Sequence, residues 1–229
     1  MKKFNSNCEV IIFDMDKTLL ACDSMDFWHQ FLAEKGITDK NDQDKRMALK
    51  KAYENGTLDI HENFRFEFSL LNRISPKQYS ALQQEFFEKH LKSMVSAKAL
   101  ALIGQYKKAN AIIVMSTSTM RFLADPVAAF IKADHMLATE GVMKENQYTG
   151  DIQGTPNYRE GKKINYELWL KQGNKKFKRM IFYSDSIHDL DLLQMADRAV
   201  AVNPDARLQE HASAMGWEIV DFHTSQKKE

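Results

Sequence analysis

Two carboxylates stand two residues apart in the run Val10-Ile11-Ile12-Phe13-Asp14-Met15-Asp16-Lys17-Thr18, directly after four apolar residues. Val10 to Phe13 has the β-branched and aromatic character of a fully buried strand. Such a strand delivers Asp14 and Asp16 at its carboxyl end, where parallel α/β sheets keep their ligand sites. Two further apolar runs end in polar groups. Ala111–Met115 leads to Ser116-Thr117-Ser118-Thr119, and Met180–Tyr183 leads to Ser184-Asp185-Ser186, with Asp189 four residues past Asp185. In one parallel sheet these ends share an edge and converge. Acids brought together without a cation repel one another and raise their own pKa values. A hard divalent ion removes that conflict, and Mg2+ suits an oxygen donor set that keeps several waters. A cation among carboxylates in turn suits a phosphorylated substrate, whose charge also needs neutralising. A side-chain cation is offered by Arg159-Glu160-Gly161-Lys162-Lys163, where Lys162 follows a glycine at a helix start. On its own, a Lys-Lys pair also reads as solvated helix surface.

The elements that must position these groups follow from punctuation and period. From Ser24 to Leu91 there is no strand alternation and almost no Gly or Pro. Asp23-Ser24 caps a helix carrying Phe27, Trp28, Phe31 and Leu32, closed by Gly36. A charged helix from Lys40 to Asn55 ends at Gly56, Asp59 caps another with Phe64, Phe68 and Leu71, and Ser75-Pro76 opens a fourth with Tyr79, Leu82, Phe86 and Leu91. Aromatics at this spacing read as a helical core. Strand rhythm then returns. Helices are expected over Ala97–Lys108, Arg121–Lys132 (with Pro126 as a kink or the true start), Arg159–Lys171 and Asp189–Met195. A hairpin-like excursion is expected around 136–151, a strand at Ala199–Val202, a helix ending near Met215 and a short strand at Trp217–Val220. The alternation predicts an α/β fold, a Rossmann-like parallel sheet covered on both faces. The expected core is 1–20 with 93–229, and 21–92 is a helical cap domain inserted after the first strand.

The chain of 229 residues is 44% apolar, enough for a real core, and its 32 Lys and Arg against 31 Asp and Glu argue against a globally basic nucleic-acid binder. Cys8 and Cys22 lack metal-ligand spacing and fit a reducing compartment. Cys22 reads as a packed thiol rather than a reactive one. The N-terminus has no apolar stretch after its lysines, so no secretory signal is expected, and no segment has the length of a membrane span. The expectation is a cytoplasmic protein, monomer or homodimer, without nucleic-acid or membrane partners. The tail from Thr224 is expected to fray.

Asp14-Met15-Asp16-Lys17-Thr18, the Ser/Thr run after the second strand, Gly161-Lys162 and Ser184-Asp185-Ser186-Ile187-His188-Asp189 resemble, in order, the four motifs of the haloacid-dehalogenase-like (HAD) phosphohydrolases. The helical insert is similar to the cap of that family's phosphoserine-phosphatase-like branch, subfamily IB. Gly150-Asp151-Ile152-Gln153-Gly154 and Ala201-Val202-Asn203-Pro204-Asp205 also resemble that branch. The resemblance implies a phosphatase that hydrolyses a small phosphate ester through an aspartyl-phosphate. Asp14 would be the nucleophile. Asp16 would be the general acid and then the base. Asp14, the backbone carbonyl of Asp16 and Asp185 would bind Mg2+, with Asp189 behind them. A motif-two hydroxyl and Lys162 would hold phosphoryl oxygens. Spacing back from Phe122 and Pro126 favours Thr117 over Ser116, and the Gly-Lys step favours Lys162 over Lys163. Lys17 and His188 depart from the residues usual in this branch.

Asp23 lies nine residues after Asp14, where phosphoserine phosphatases carry a Glu that grips the substrate amine. The shorter side chain puts serine phosphate in doubt but keeps an amine-bearing substrate open, and Asp23 also reads simply as a helix cap. Arg65 is a candidate for a substrate carboxylate or a surface arginine. Phosphotransfer or mutase action on the same fold is an alternative. A phosphoacceptor signalling domain is another, but it has no need of Asp16 or of a large helical insert.

Overall fold

Alternate residues of β1 (Glu9–Phe13) face opposite sides of a six-stranded sheet: Val10 and Ile12 join one buried apolar cluster, and Ile11 and Phe13 join another. Burial on both faces is why the strand is apolar throughout rather than alternating. The structure, a computed structural model, describes residues 8–224. The expectations for the N-terminal leader and for the tail beyond Thr224 lie outside the described residues.

β1 pairs in parallel with β2 (Ile112–Met120) on one side and β6 (Arg179–Ser184) on the other. With β3 (His135–Thr139), β7 (Arg198–Val202) and β8 (Glu218–Val220) the order is β3-β2-β1-β6-β7-β8, every neighbouring pair parallel. The chain builds outward from β1 in one direction and then returns to build outward in the other. The carboxyl ends of β2, β1 and β6 therefore meet at the switch point where such sheets open a crevice. Helices α5 (Ala97–Lys108) and α6 (Arg121–Phe130) cover one face through Ala99, Ile103, Leu123 and Val127. Helices α7 (Glu160–Lys171), α8 (Leu190–Met195) and α9 (Ala206–Met215) cover the other through Tyr166, Trp169, Leu192 and Leu208.

Between β1 and β2 lie four helices, α1 (Ser24–Glu34), α2 (Lys40–Glu54), α3 (Ile60–Leu71) and α4 (Pro76–Phe86). The caps expected at Asp23 and Asp59 are present, and a third, at Asp39, was not anticipated. Asp23 accepts from the backbone of Met25 and Asp26, Asp59 from that of His61 and Glu62, and Asp39 with Asp42 forms a capping box. Trp28 packs on Phe86 (5.1 Å between centroids) and on Phe122 of α6 (5.7 Å), so the apolar cluster of the insert is continuous with that face of the sheet. The two connections to the insert run side by side. Leu20 bridges Val95, the N–H of Ala21 donates to the carbonyl of Met94 at 2.9 Å, and that of Ser96 to Leu19 at 2.8 Å.

Three local expectations need correction. The second strand does not stop at Met115 but runs through the Ser/Thr segment to Met120, with a register shift against β3 between Ser116 and Met120. The excursion around 136–151 divides: its first part is β3 of the main sheet, and only β4 (Gly141–Lys144) and β5 (Gln147–Ile152) form a hairpin. That hairpin turns at Glu145-Asn146, both left-handed, with φ of 51° and 63°. Pro126 neither starts nor breaks α6. It has no N–H to offer the carbonyl of Phe122 four residues back, and the side-chain amide of Gln83 from α4 donates to that carbonyl instead. No helix among the described residues is long and apolar enough to cross a membrane.

Asp42 links α2 to the rest of the insert, because Arg73 forks onto both of its oxygens at 2.6 and 2.9 Å. Those hydrogen bonds hold its carboxyl below the usual range. Asp42→Ala is expected to cost about 1–2 kcal/mol of unfolding free energy in urea at neutral pH. Because the folded pKa is depressed, the contribution is present above the ordinary Asp pKa and disappears as pH falls through the folded value. The difference between parent and variant should shrink as pH falls below the ordinary Asp pKa. Cys22 is buried, and burial with the nearby Asp16 and Asp23 pushes its thiol up to about 12. Iodoacetamide at about pH 8 should leave it unmodified in the folded protein and alkylate it in urea, read by peptide mass.

Candidate active site

Asp14 directly follows β1, and its N–H donates to the carbonyl of Tyr183 in β6 at 2.9 Å, so the ladder itself fixes where the carboxylate emerges. Residues Met15–Leu19 then form a single wide helical turn with Lys17 in a left-handed conformation, φ 56°. The turn is closed by Leu20 N–H donating to Met15 and Lys17 N–H donating to Cys22. It brings Asp16 back between two donors. Oδ2 accepts from the Thr119 hydroxyl at 2.7 Å, and Oδ1 from the backbone N–H of Ser24, the first residue of α1, at 2.6 Å.

Lys162 lies in the first turn of α7 and is 2% exposed. Its Nζ donates to Asp14 Oδ1 at 2.6 Å and to Asp189 Oδ2 at 2.7 Å. Gly161 makes this placement sterically feasible, because a Cβ there would sit 2.0 Å from the carbonyl oxygen of Pro156. Asp189 Oδ2 also accepts from the Ser184 hydroxyl at 2.6 Å. Asp185, at the end of β6, accepts from Thr18 Oγ1 at 3.3 Å. Asp205 pins its loop: its N–H donates to the Asp185 carbonyl, and its Oδ2 accepts from Ile187 N–H, both at 2.8 Å.

Asp14, Asp16, Lys162, Asp185 and Asp189 thus line one cavity of about 120 Å3. Asp23 lines it too and satisfies both readings of the sequence. Its Oδ1 caps α1, while Oδ2 stands 3.9 Å from Lys17 Nζ. Lys163 points to solvent. Thr117 and Ser116 are not brought to the cavity wall, where Ser118 and Thr119 stand instead. Thr117 Oγ1 accepts from the N–H of Thr119 at 3.1 Å, and Ser116 Oγ accepts from the amide of the buried Asn157 at 3.1 Å. The register shift in β2 re-aims the strand end, which counting from the apolar run could not anticipate.

Arg65 is not at the cavity. It is exposed on α3 and runs along Gly150, with its Cγ 3.5 Å from where a Cβ would lie. Ile60, Asn63 and Phe64 are the α3 residues that line the cavity, and Arg65 is rotated about 100° from Phe64 around the helix. The cations on this wall are Arg46 and Lys50 of α2, one turn apart, and both bind Asp26, at 3.2 and 2.5 Å. Their spacing with Tyr53 along one face of α2 was the available signal. Tyr53 meets the half-buried His188 edge-on at 4.9 Å, and both line the cavity.

Burial raises the Asp14 carboxyl to about 7, although Lys162 pulls it down, and raises Asp16 to about 6, with the charge of Asp23 adding to the effect. Asp185 is pushed well above the carboxylate range by burial and by Asp14 and Asp189. Burial works against the Lys162 charge, but Asp14 and Asp189 outweigh it and raise its pKa. Burial lowers His188, with Arg159 adding to the effect. Among the described residues, no Lys, Arg or His lies within ion-pair distance of Asp185. No group of three or more His, Cys, Asp or Glu side chains among them forms a ready metal cluster. Asp14 and Asp185 line the same cavity and offer carboxylate oxygens of the kind a hard cation prefers. That set leaves positions for water, as Mg2+ prefers.

The family profile of haloacid dehalogenase-like hydrolases matches residues 11–194. A histidinol-phosphatase of Neisseria meningitidis serogroup C is 31% identical over 216 residues, covering 92% of this chain and 97% of that protein. A solved structure of a protein of unknown function from Bordetella pertussis Tohama I superposes with a TM-score of 0.88 at 31% identity, covering 94% of this chain and 99% of that one. A phospho-aspartyl intermediate analogue of phosphoserine phosphatase shares the fold, with a TM-score of 0.67 at 16% identity, covering 96% and 95%. With the parallel sheet, the four-helix insert and the acid-lysine cluster at the switch point, these matches settle the family: the chain belongs to the haloacid dehalogenase-like hydrolases.

Proposed function

We propose that this hydrolase is a cytoplasmic, Mg2+-dependent phosphatase of a small amine-bearing phosphomonoester, working through an aspartyl-phosphate on Asp14. The observation that carries the reading is the state of Asp14. One of its oxygens is held by the buried Lys162 ammonium, while Oδ2 has no hydrogen-bond donor among the described residues and lies at a cavity. A carboxylate clamped on one side and open on the other is arranged for in-line attack.

Asp14 attacks phosphorus as the bond to the ester oxygen breaks, and Asp16 gives its proton to that oxygen. Asp16 then takes a proton from the water that attacks phosphorus, and phosphate leaves with Asp14 regenerated. A carboxyl raised to about 6 suits a group that must both give and take a proton near neutral pH. Lys162 neutralises charge on the phosphoryl oxygens, and Asp189 with Ser184 keeps it in place. Ser118, which lines the cavity, can meet a phosphoryl oxygen directly, whereas Thr117, its hydroxyl proton uncommitted among the described residues, would reach one only by turning its side chain toward the cavity. Bound by Asp14, Asp185 and the carbonyl of Asp16, Mg2+ would neutralise phosphoryl charge and favour the ionised nucleophile. Residues 21–92 act as the cap over this site, joined to the core through the paired segments at Leu20 and Val95.

The helical wall supports an amine on the leaving group. Asp23 and Glu54 line it together with Tyr53 and Phe64, whereas the cations Arg46 and Lys50 are already engaged by Asp26. The Neisseria relative bears the name histidinol-phosphatase, which makes histidinol phosphate the first ester to try. With Mg2+ the purified chain is expected to release phosphate from histidinol phosphate, and EDTA should stop release until Mg2+ is restored. Asp14→Asn should lower kcat at least about a thousandfold. Near-normal turnover by that variant would remove Asp14 as nucleophile. Asp23→Asn separates the two roles of that residue, since Asn caps a helix as well as Asp does. It should raise KM for the amine-bearing ester about tenfold while p-nitrophenyl phosphate stays within about threefold.

A further inference from the structure

Asp16 is held by two donors from opposite parts of the molecule. One is the backbone N–H of Ser24, at the start of the helical insert. The other is the hydroxyl of Thr119, at the end of β2 in the sheet core. A carboxyl group can rotate about its bond to Cβ, and proton delivery to a leaving oxygen depends on that rotation being fixed. With a donor on each oxygen the rotation is fixed, and an Asp16 proton is confined to lone pairs that neither donor occupies.

The Ser24 donor is backbone and independent of side-chain identity. Thr119 is the element the sequence controls. It is 5% exposed, and its own N–H is bound by the Thr117 hydroxyl at 3.1 Å. The neighbouring carbonyl of Ser118 accepts from Thr139 at 3.2 Å. The strand end that carries Thr119 is therefore itself braced. We propose that Thr119 is a positioning residue that aims Asp16 at the leaving-group oxygen and is not a ligand of the transferred phosphoryl group. The inference rests on Asp16 being the proton donor.

A proton donor matters most when the leaving group is poor, so the test compares two aryl esters of similar shape, phenyl phosphate and p-nitrophenyl phosphate. It is read on kcat/KM with Mg2+ present, which reports the steps up to leaving-group departure and excludes hydrolysis of the covalent intermediate. Thr119→Val keeps the volume and removes the hydroxyl. It should lower kcat/KM for phenyl phosphate about tenfold or more, and for p-nitrophenyl phosphate by less than about threefold. Thr119→Ser should restore the phenyl ester to within about threefold of the parent. An equal loss on both esters would assign Thr119 to the phosphoryl group or to the fold, and no loss on either would remove it from the reaction; each overturns the proposal. Asp16→Asn, measured alongside, separates the layers. If it too fails to discriminate between the esters, the proton-donor reading itself is wrong. If it discriminates and Thr119→Val does not, only the positioning role falls.

Discussion

A buried ammonium between two carboxylates sets the terms for the rest of this molecule. Lys162 Nζ lies 2.6 Å from Asp14 and 2.7 Å from Asp189, and all three side chains are nearly out of contact with water. Removing such charges from water costs several kcal/mol each, and the arrangement is tolerable only because every member finds a partner. The requirement propagates outward. Ser184 must face Asp189, Gly161 must leave room for the Pro156 carbonyl, and α7 must begin where it does. A cluster this constrained is expensive as a mere stability device. It makes sense where a preorganised positive charge beside a carboxylate is the working part.

The sheet topology explains why these groups can meet. β1 is the strand from which the chain builds both ways, so its carboxyl end has β2 and β6 as immediate neighbours. Asp14 and Asp185 come from adjacent parallel strands, Lys162 from a helix behind them, and Asp16 from the turn leading into the helical insert. The insert contributes a wall and one hydrogen bond to Asp16, through the first backbone amide of α1. Its apolar cluster is continuous with one face of the sheet, so it rests on the core through Trp28, Phe86 and Phe122.

The haloacid dehalogenase-like match runs over residues 11–194 and takes in Asp14, Asp16, Lys162, Asp185 and Asp189. Relatives at 31% identity cover nearly the whole chain, insert included, whereas the phosphoserine phosphatase fold at 16% speaks to architecture alone. The wall formed by α2 and α3 brings Arg46, Lys50 and Tyr53 to the cavity. There Arg46 and Lys50 spend their charge on Asp26, and Tyr53 stacks edge-on with His188.

Much of this was legible in the amino-acid order. The apolar run into Asp14 and Asp16, the Gly-Lys step, and Asp185 with Asp189 pointed to residues that the fold brings to one cavity, because strand ends and helix starts are local features with local signals. Caps at Asp23 and Asp59 likewise marked the starts of two of the insert's helices. What lay beyond the sequence depended on contacts between distant segments. The β2 register shift is set by pairing with β3, and it moved Ser118 and Thr119, not Thr117, to the cavity. The rotation of α3 is set by packing Phe64 and Phe68, and it turned Arg65 away while α2 brought Arg46 and Lys50 in. Residue type and spacing determined which chemistry the chain carries. Only tertiary packing decided which side chains face that chemistry, because a side chain's direction depends on the register and rotation of its element, and neighbours far away in sequence fix both.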